Sequence, residues 1–281
     1  MSPGRDVEKS RSRLEQVRHV ALDLDGTIYR GGTLFASTIP FLKLLKELGI
    51  GYTFVTNNSS KSTQDYLVHL ERFGISVRPE ELYTSTQTTI LFLREHLPAT
   101  KRLFILGTPS LIEEMQEEGF IAAADDSTDE PDAVVVGFDT GLVFSRLCRA
   151  AYWISKGKHF IATHPDRVCP TDLPTVLVDC GSLCAALEKA TGRSPDAILG
   201  KPDPRMLGGI LKRHALSVEE LALVGDRLYT DMAMARSAGV LGVLVLTGET
   251  SAADVSQAEA PPDLVVSGLS EFGVKLRQSR S

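Results

Sequence analysis

The chain has 281 residues, 43% hydrophobic and 23% charged, an ordinary balance for a globular protein of one or two domains. Its 30 Lys and Arg against 36 Asp and Glu give a net charge of -6, which argues against nucleic acid as a partner because phosphate backbones reward clustered positive charge. No apolar run reaches the ~18 residues of a membrane span, and the polar start lacks the apolar stretch of a secretory signal. The four cysteines, Cys148, Cys169, Cys180 and Cys184, show no CxxC and no metal-type pairing with histidine. A cytoplasmic chain with reduced thiols and no membrane partner is the expectation.

Residues 1–16 read as a loose N-terminal arm. "HVALDL" (19–24) then reads as a buried strand, and "TIPFLKLLKELG" as a helix closed by Gly49. "IGYTFVTNN" is a strand and "KSTQDYLVHLERFG" a second helix. This strand-helix order predicts a parallel sheet with helices on its faces. The middle repeats the theme: strand "KRLFILG", helix from Pro109, strand "DAVVVGF", helix "FSRLCRAAYWISKG", strand "HFIAT" and helix "GSLCAALEKATG". The last third runs strand "DAILG", helix "DPRMLGGILKRHA", strand "LALVGD", helix "YTDMAMARSAG", strands "VLGVLVLTG" and "DLVV", and helix "GLSEFGVKLRQ".

Four strand ends carry chemistry. The first ends in Asp23-Leu24-Asp25-Gly26-Thr27. Alternate strand residues share a face, with Cα atoms roughly 6–7 Å apart, and ligands of parallel sheets bind at the carboxyl ends of strands. Two such acids suit a division of labour, one binding a hard metal and attacking, the other holding a proton. Asp-Gly is also a common turn pair, so geometry must decide. The second strand ends in Thr56, Asn57 and Asn58, whose hydroxyl and backbone N–H groups suit phosphate oxygens or simple loop capping. A third end carries Gly200 and Lys201, either a site cation or a solvated loop lysine. The fourth carries Asp226 and Asp231, either metal ligands or an N-cap and a first-turn acid.

In that order, DLDGT, VTNN, GKP and VGDRLYTD resemble the four motifs of the haloacid dehalogenase-like (HAD) phosphohydrolases. "TNNSSKS", "FIATHPD", "GSLCAALEKATGRSP" and "GKPDPRML" are similar to the NagD and 4-nitrophenyl phosphatase branch. The resemblance covers roughly residues 18–275. It implies an α/β fold: a Rossmann-like HAD core with a parallel sheet flanked by helices, at 17–81 and 197–281, and an inserted smaller α/β cap of the IIA type at 82–196. It implies a Mg2+-dependent phosphatase of small phosphomonoesters, such as a sugar phosphate, a nucleoside monophosphate or a phosphoglycolate-like acid. Asp23 matches the nucleophile and Asp25 the general acid and base. Thr56 and the Asn57 amide match the phosphate clamp, and Lys201 the lysine that offsets phosphate charge. Asp23, the Asp25 carbonyl and Asp226 match the metal ligands, with Asp231 in the outer shell. His164, Asp166 and Arg167 fall where relatives carry a substrate-facing loop, though many relatives have Asn in place of His164 and Gly in place of Cys180. For His164 a locally bonded loop histidine and a substrate role both stand; for Arg167, a solvated side chain or a ligand contact. Trp153 reads as cap core. Relatives often pair through their caps, which implies a homodimer. A phosphotransferase or phosphomutase, and a regulator that binds phosphate ligands without chemistry, are the alternatives.

Overall fold

The computed structural model describes residues 12–171 and 174–280. Most of the expected arm, residues 1–11, lies outside the described residues; helix α1 (12–16) follows it and buries Leu14. The chain packs as two compact units. One runs through Val55 and adds Glu80–Leu82 and Leu207–Ser281; the other comprises Thr56–Pro79 and Tyr83–Met206.

In the first unit Val20, Ala21 and Leu22 are fully buried in β1 (His19–Asp23). Strand β1 lies inside a six-stranded sheet with β4 (Gly51–Thr56), β5 (Leu82–Thr84), β13 (Leu221–Gly225), β14 (Leu241–Val245) and β15 (Leu264–Val266), in the order β15-β14-β13-β1-β4-β5. The pairs from β15 to β4 are parallel. Such strands are covered on both faces, which is why β1, β13 and β14 are buried along their whole length. Helices α2 (Thr38–Glu47) and α11 (Leu269–Gln278) pack together, the rings of Phe41 and Phe272 5.6 Å apart. Helices α8 (Arg205–His214), α9 (Ala233–Ala238) and α10 (Ala252–Gln257) and a hairpin of β2 (Tyr29–Arg30) with β3 (Thr33–Leu34) complete the elements.

The second unit holds a five-stranded parallel sheet: β6 (Arg102–Leu106), β7 (Ile121–Ala122), β8 (Ala133–Val136), β9 (His159–Ala162) and β12 (Ala197–Ile198), ordered β12-β9-β8-β6-β7. Helices α6 (Phe144–Ser155) and α7 (Cys180–Thr191) belong to one core, where Trp153 packs with Phe104, Phe160 and Leu183. Helices α4 (Ser85–His96) and α5 (Pro109–Glu117) belong to the other, with Leu93, Leu111, Met115 and Leu199. Helix α3 (Thr63–Arg72) opens on a capping box between Ser62 and Asp65. The strands β10 (Val168–Cys169) and β11 (Leu177–Val178) form a small antiparallel pair.

Two elements depart from the sequence reading for identifiable reasons. Helix α4 went unread because Thr86, Thr88 and Thr89 are β-branched and favour strands. In the helix, the Thr88 and Thr89 hydroxyls donate to the carbonyls of Thr84 and Ser85, 3.2 and 2.8 Å away. The stretch read as one helix from Tyr229 instead opens with a π-helical turn, Leu228–Met232, before α9. Wide turns of this kind concentrate at functional sites.

Candidate active site

Adjacent parallel strands place the first group. In the register of β1 and β13, Leu22 lies opposite Val224, so Asp23 closes one strand and Asp226 follows the end of the other. The π-turn sends Asp231 to the same place. One oxygen from each of Asp23, Asp226 and Asp231 falls within 4.8 Å of the others, and all three residues are buried. Asp226 is no helix N-cap: its Oδ2 accepts the Glu249 N–H at 2.6 Å. Thr27 donates to Asp23 at 3.3 Å, and the Arg227 N–H donates to Asp231 at 3.3 Å. Gly26, at φ +82°, is fixed both by its left-handed backbone and because a side chain there would strike the Asp226 carboxyl. Asp25 lies in the turn just after β1 and is exposed, unlike Asp23. One acid is desolvated and the other is open to water.

The second unit assembles a different group. Lys201, 4% exposed, follows β12 after Leu199 and Gly200. Both backbone groups of Lys201 are held by the Asn57 side chain: Oδ1 accepts the Lys201 N–H at 2.6 Å, and Nδ2 donates to the Lys201 carbonyl at 3.0 Å. Gly200, at φ +70°, permits this approach, since a side chain there would meet Asn57 Oδ1. Asn57 Nδ2 also donates to the Asp166 carboxylate at 3.2 and 3.3 Å. Thr56 ends β4, and its hydroxyl accepts the Asn58 N–H at 3.2 Å. His164 is fully buried, its Nδ1 3.6 Å from Asp166 and its Nε2 3.5 Å from Asp179. Arg167 is exposed, and its carbonyl accepts the Asp179 N–H.

Two family models match the chain: haloacid dehalogenase-like hydrolase over residues 20–121 and HAD-hydrolase-like over 198–272. Ribonucleotide monophosphatase NagD of Escherichia coli is 31% identical over 92% of this chain and 99% of its own. The chain belongs to the haloacid dehalogenase-like hydrolases. The crystal structure of a 4-nitrophenylphosphatase from Thermotoga maritima superposes with a TM-score of 0.88 at 39% identity, covering 93% of this chain and 98% of that one. A glycerol phosphate phosphatase from Mycobacterium tuberculosis, solved in complex with magnesium, gives 0.84 at 32% identity over 95% and 79%. This HAD-like hydrolase therefore stands in the NagD and 4-nitrophenylphosphatase branch, as a phosphomonoester hydrolase.

Two residues of this HAD-like hydrolase escaped the sequence reading. Arg227 is half-buried, which works against its charge; Asp226 and Asp23 outweigh that and hold the guanidinium above its ordinary range. Its position directly after Asp226 was the available signal. Asp179 caps α7, with Oδ1 accepting the Cys180 N–H at 2.6 Å, and an acid just before a helix start was its signal.

Proposed function

We propose that the chain is a magnesium-dependent phosphatase that cleaves a small phosphomonoester through a phosphorylated Asp23. The observation carrying this reading is the buried cluster of Asp23, Asp226 and Asp231 at two adjacent strand ends. Three carboxylates so close repel one another, and their all-oxygen set matches the hard donors that magnesium prefers. Asp23, Asp226 and the Asp25 carbonyl would hold the ion, with Asp231 orienting the shell. When bound, the ion supplies neutralisation of the phosphoryl oxygens. The mycobacterial relative is solved in complex with magnesium and with calcium, which supports a divalent ion.

An Asp23 oxygen attacks phosphorus while the bond to the leaving oxygen breaks. Asp25 gives that oxygen its proton, so an alcohol departs and an acyl phosphate remains. Asp25 then takes a proton from water, whose oxygen attacks phosphorus; inorganic phosphate leaves and the Asp23 carboxylate returns. The exposure of Asp25 supports its access to that water. Thr56 and the Asn57 backbone N–H hold phosphoryl oxygens, and Lys201 offsets the charge that spreads over them in the transition state. Relatives named for ribonucleotides, glycerol phosphate and 4-nitrophenyl phosphate support a small phosphomonoester as substrate.

Phosphate release across a panel of phosphomonoesters with magnesium tests the reading. Wild type releases inorganic phosphate from a single substrate, and Asp23→Asn does not. Full turnover by that variant, or transfer only to an acceptor other than water, contradicts it.

A further inference from the structure

His164 sits where no ordinary partner reaches it. The residue is fully buried, and neither ring nitrogen has a hydrogen-bond partner. Each nitrogen instead faces its own carboxylate, Asp166 at 3.6 Å and Asp179 at 3.5 Å. A neutral ring carries one N–H and one lone pair, so it suits one acceptor at most; only the doubly protonated ring matches two. A single metal ion could take only one of the two nitrogens, which leaves the other carboxylate unexplained.

The carboxylates are themselves fixed. Asp179 caps α7, and the N–H groups of Asp179 and Gly181 donate to the carbonyls of Arg167 and Asp166 at 3.0 and 2.8 Å. The loop 164–167 is thus strapped to the start of α7. From Asp166 the chain of bonds continues to Asn57 Nδ2, and Asn57 holds both backbone groups of Lys201.

We propose that His164 is a positioning residue: as an imidazolium clamped between Asp166 and Asp179, it sets Asp166 and, through Asn57, fixes the backbone that presents Lys201. The part of this that concerns activity rests on the phosphatase reading. The titratable groups facing the ring are Asp166, Asp179 and Cys180, with Cys184 behind Cys180 on α7. Burial opposes ionisation of Cys180, but the hydrogen bond from Cys184 and the His164 charge outweigh it and hold Cys180 below the ordinary thiol range, so it faces the ring as a thiolate. Burial disfavours the charged ring, but the Cys180 sulfur, Asp166 and Asp179 outweigh it and raise His164 to about 9. The clamp is therefore closed at neutral pH and opens as pH rises through that value.

Imidazole NMR from pH 6 to 10.5 identifies His164 as the signal missing from His164→Asn. The expected result is a charged ring at pH 7 with a midpoint near 9, lowered in Asp166→Asn and in Asp179→Asn. Turnover of 4-nitrophenyl phosphate with magnesium gives the second readout. Wild-type kcat/KM falls about tenfold over one pH unit past that midpoint. His164→Asn starts lower and lacks this limb. Should His164→Asn fail to fold, Asp166→Asn, which keeps the volume of the site, carries the same expectation of a displaced limb. A neutral ring at pH 7, an unchanged alkaline limb in a variant that folds, or a stoichiometric metal lost on replacing His164 overturns the proposal. A chain that titrates His164 near 9 yet hydrolyses no phosphomonoester contradicts the phosphatase reading and leaves the imidazolium standing.

Discussion

The two units each gather carboxylates, and they neutralise them in opposite ways. In the first, Asp23, Asp226 and Asp231 crowd together, and their charge helps to stabilise the Arg227 guanidinium, which pairs with Glu249 at 2.9 Å. In the second, Asp166 and Asp179 flank the His164 ring at 3.6 and 3.5 Å, and the proposed imidazolium carries the compensating charge itself. In the proposed reading the first cluster accepts a cation from outside, and the second, with its own imidazolium, works as scaffold. Buried acids alone therefore do not mark a metal centre. What separates the two is whether the chain supplies a cation between the acids or leaves that place to an ion.

The strongest way to break this contrast is Asp23→Asn, which should lower kcat by on the order of 10⁴-fold or more, as loss of a nucleophile does, while circular dichroism shows the fold intact. Removing metal comes next. EDTA should abolish turnover and added magnesium restore it, whereas the His164 imidazole signal stays where it was. An NMR shift of His164 on metal removal would erase the distinction between the clusters. Asn57→Ala, which frees the Lys201 backbone, should cost about 10- to 100-fold in kcat/KM, because misplacing a phosphate-holding group by about an ångström has that effect. The smallest effect is on stability. A raised histidine contributes fully below its ordinary value of 6.5 and loses that contribution as pH climbs through about 9. The wild-type Tm should thus fall between pH 8 and 10 by a few degrees more than that of His164→Asn, as read by differential scanning calorimetry.

Much of the first cluster was legible in sequence because a strand end announces itself: an apolar run, then acids, then glycine. Asp23 and Asp226 stand at or just beyond such ends, as do Thr56 and Lys201 of the second unit. Asp231 needed more, since its arrival depends on a π-helical turn that has no signature in a pattern read at 3.6 residues per turn. The second cluster was half legible. His164 and Asp166 could be placed in a loop after β9, but their surroundings were not readable, because Asp179 comes from beyond the β10–β11 pair. Only the strapping of that loop onto α7 brings the acid to the ring. Helix α4 shows the reverse case, in which tertiary packing and hydroxyl-to-carbonyl bonds overrule the strand preference of threonine.

The most direct test of the central claim is acid-quenched turnover with substrate labelled in its phosphoryl group, followed by mapping of the label. The account predicts a hydroxylamine-labile phosphoryl group on Asp23 at partial occupancy, absent from Asp23→Asn. Label on another residue, or phosphate release by Asp23→Asn at the wild-type rate, would contradict it.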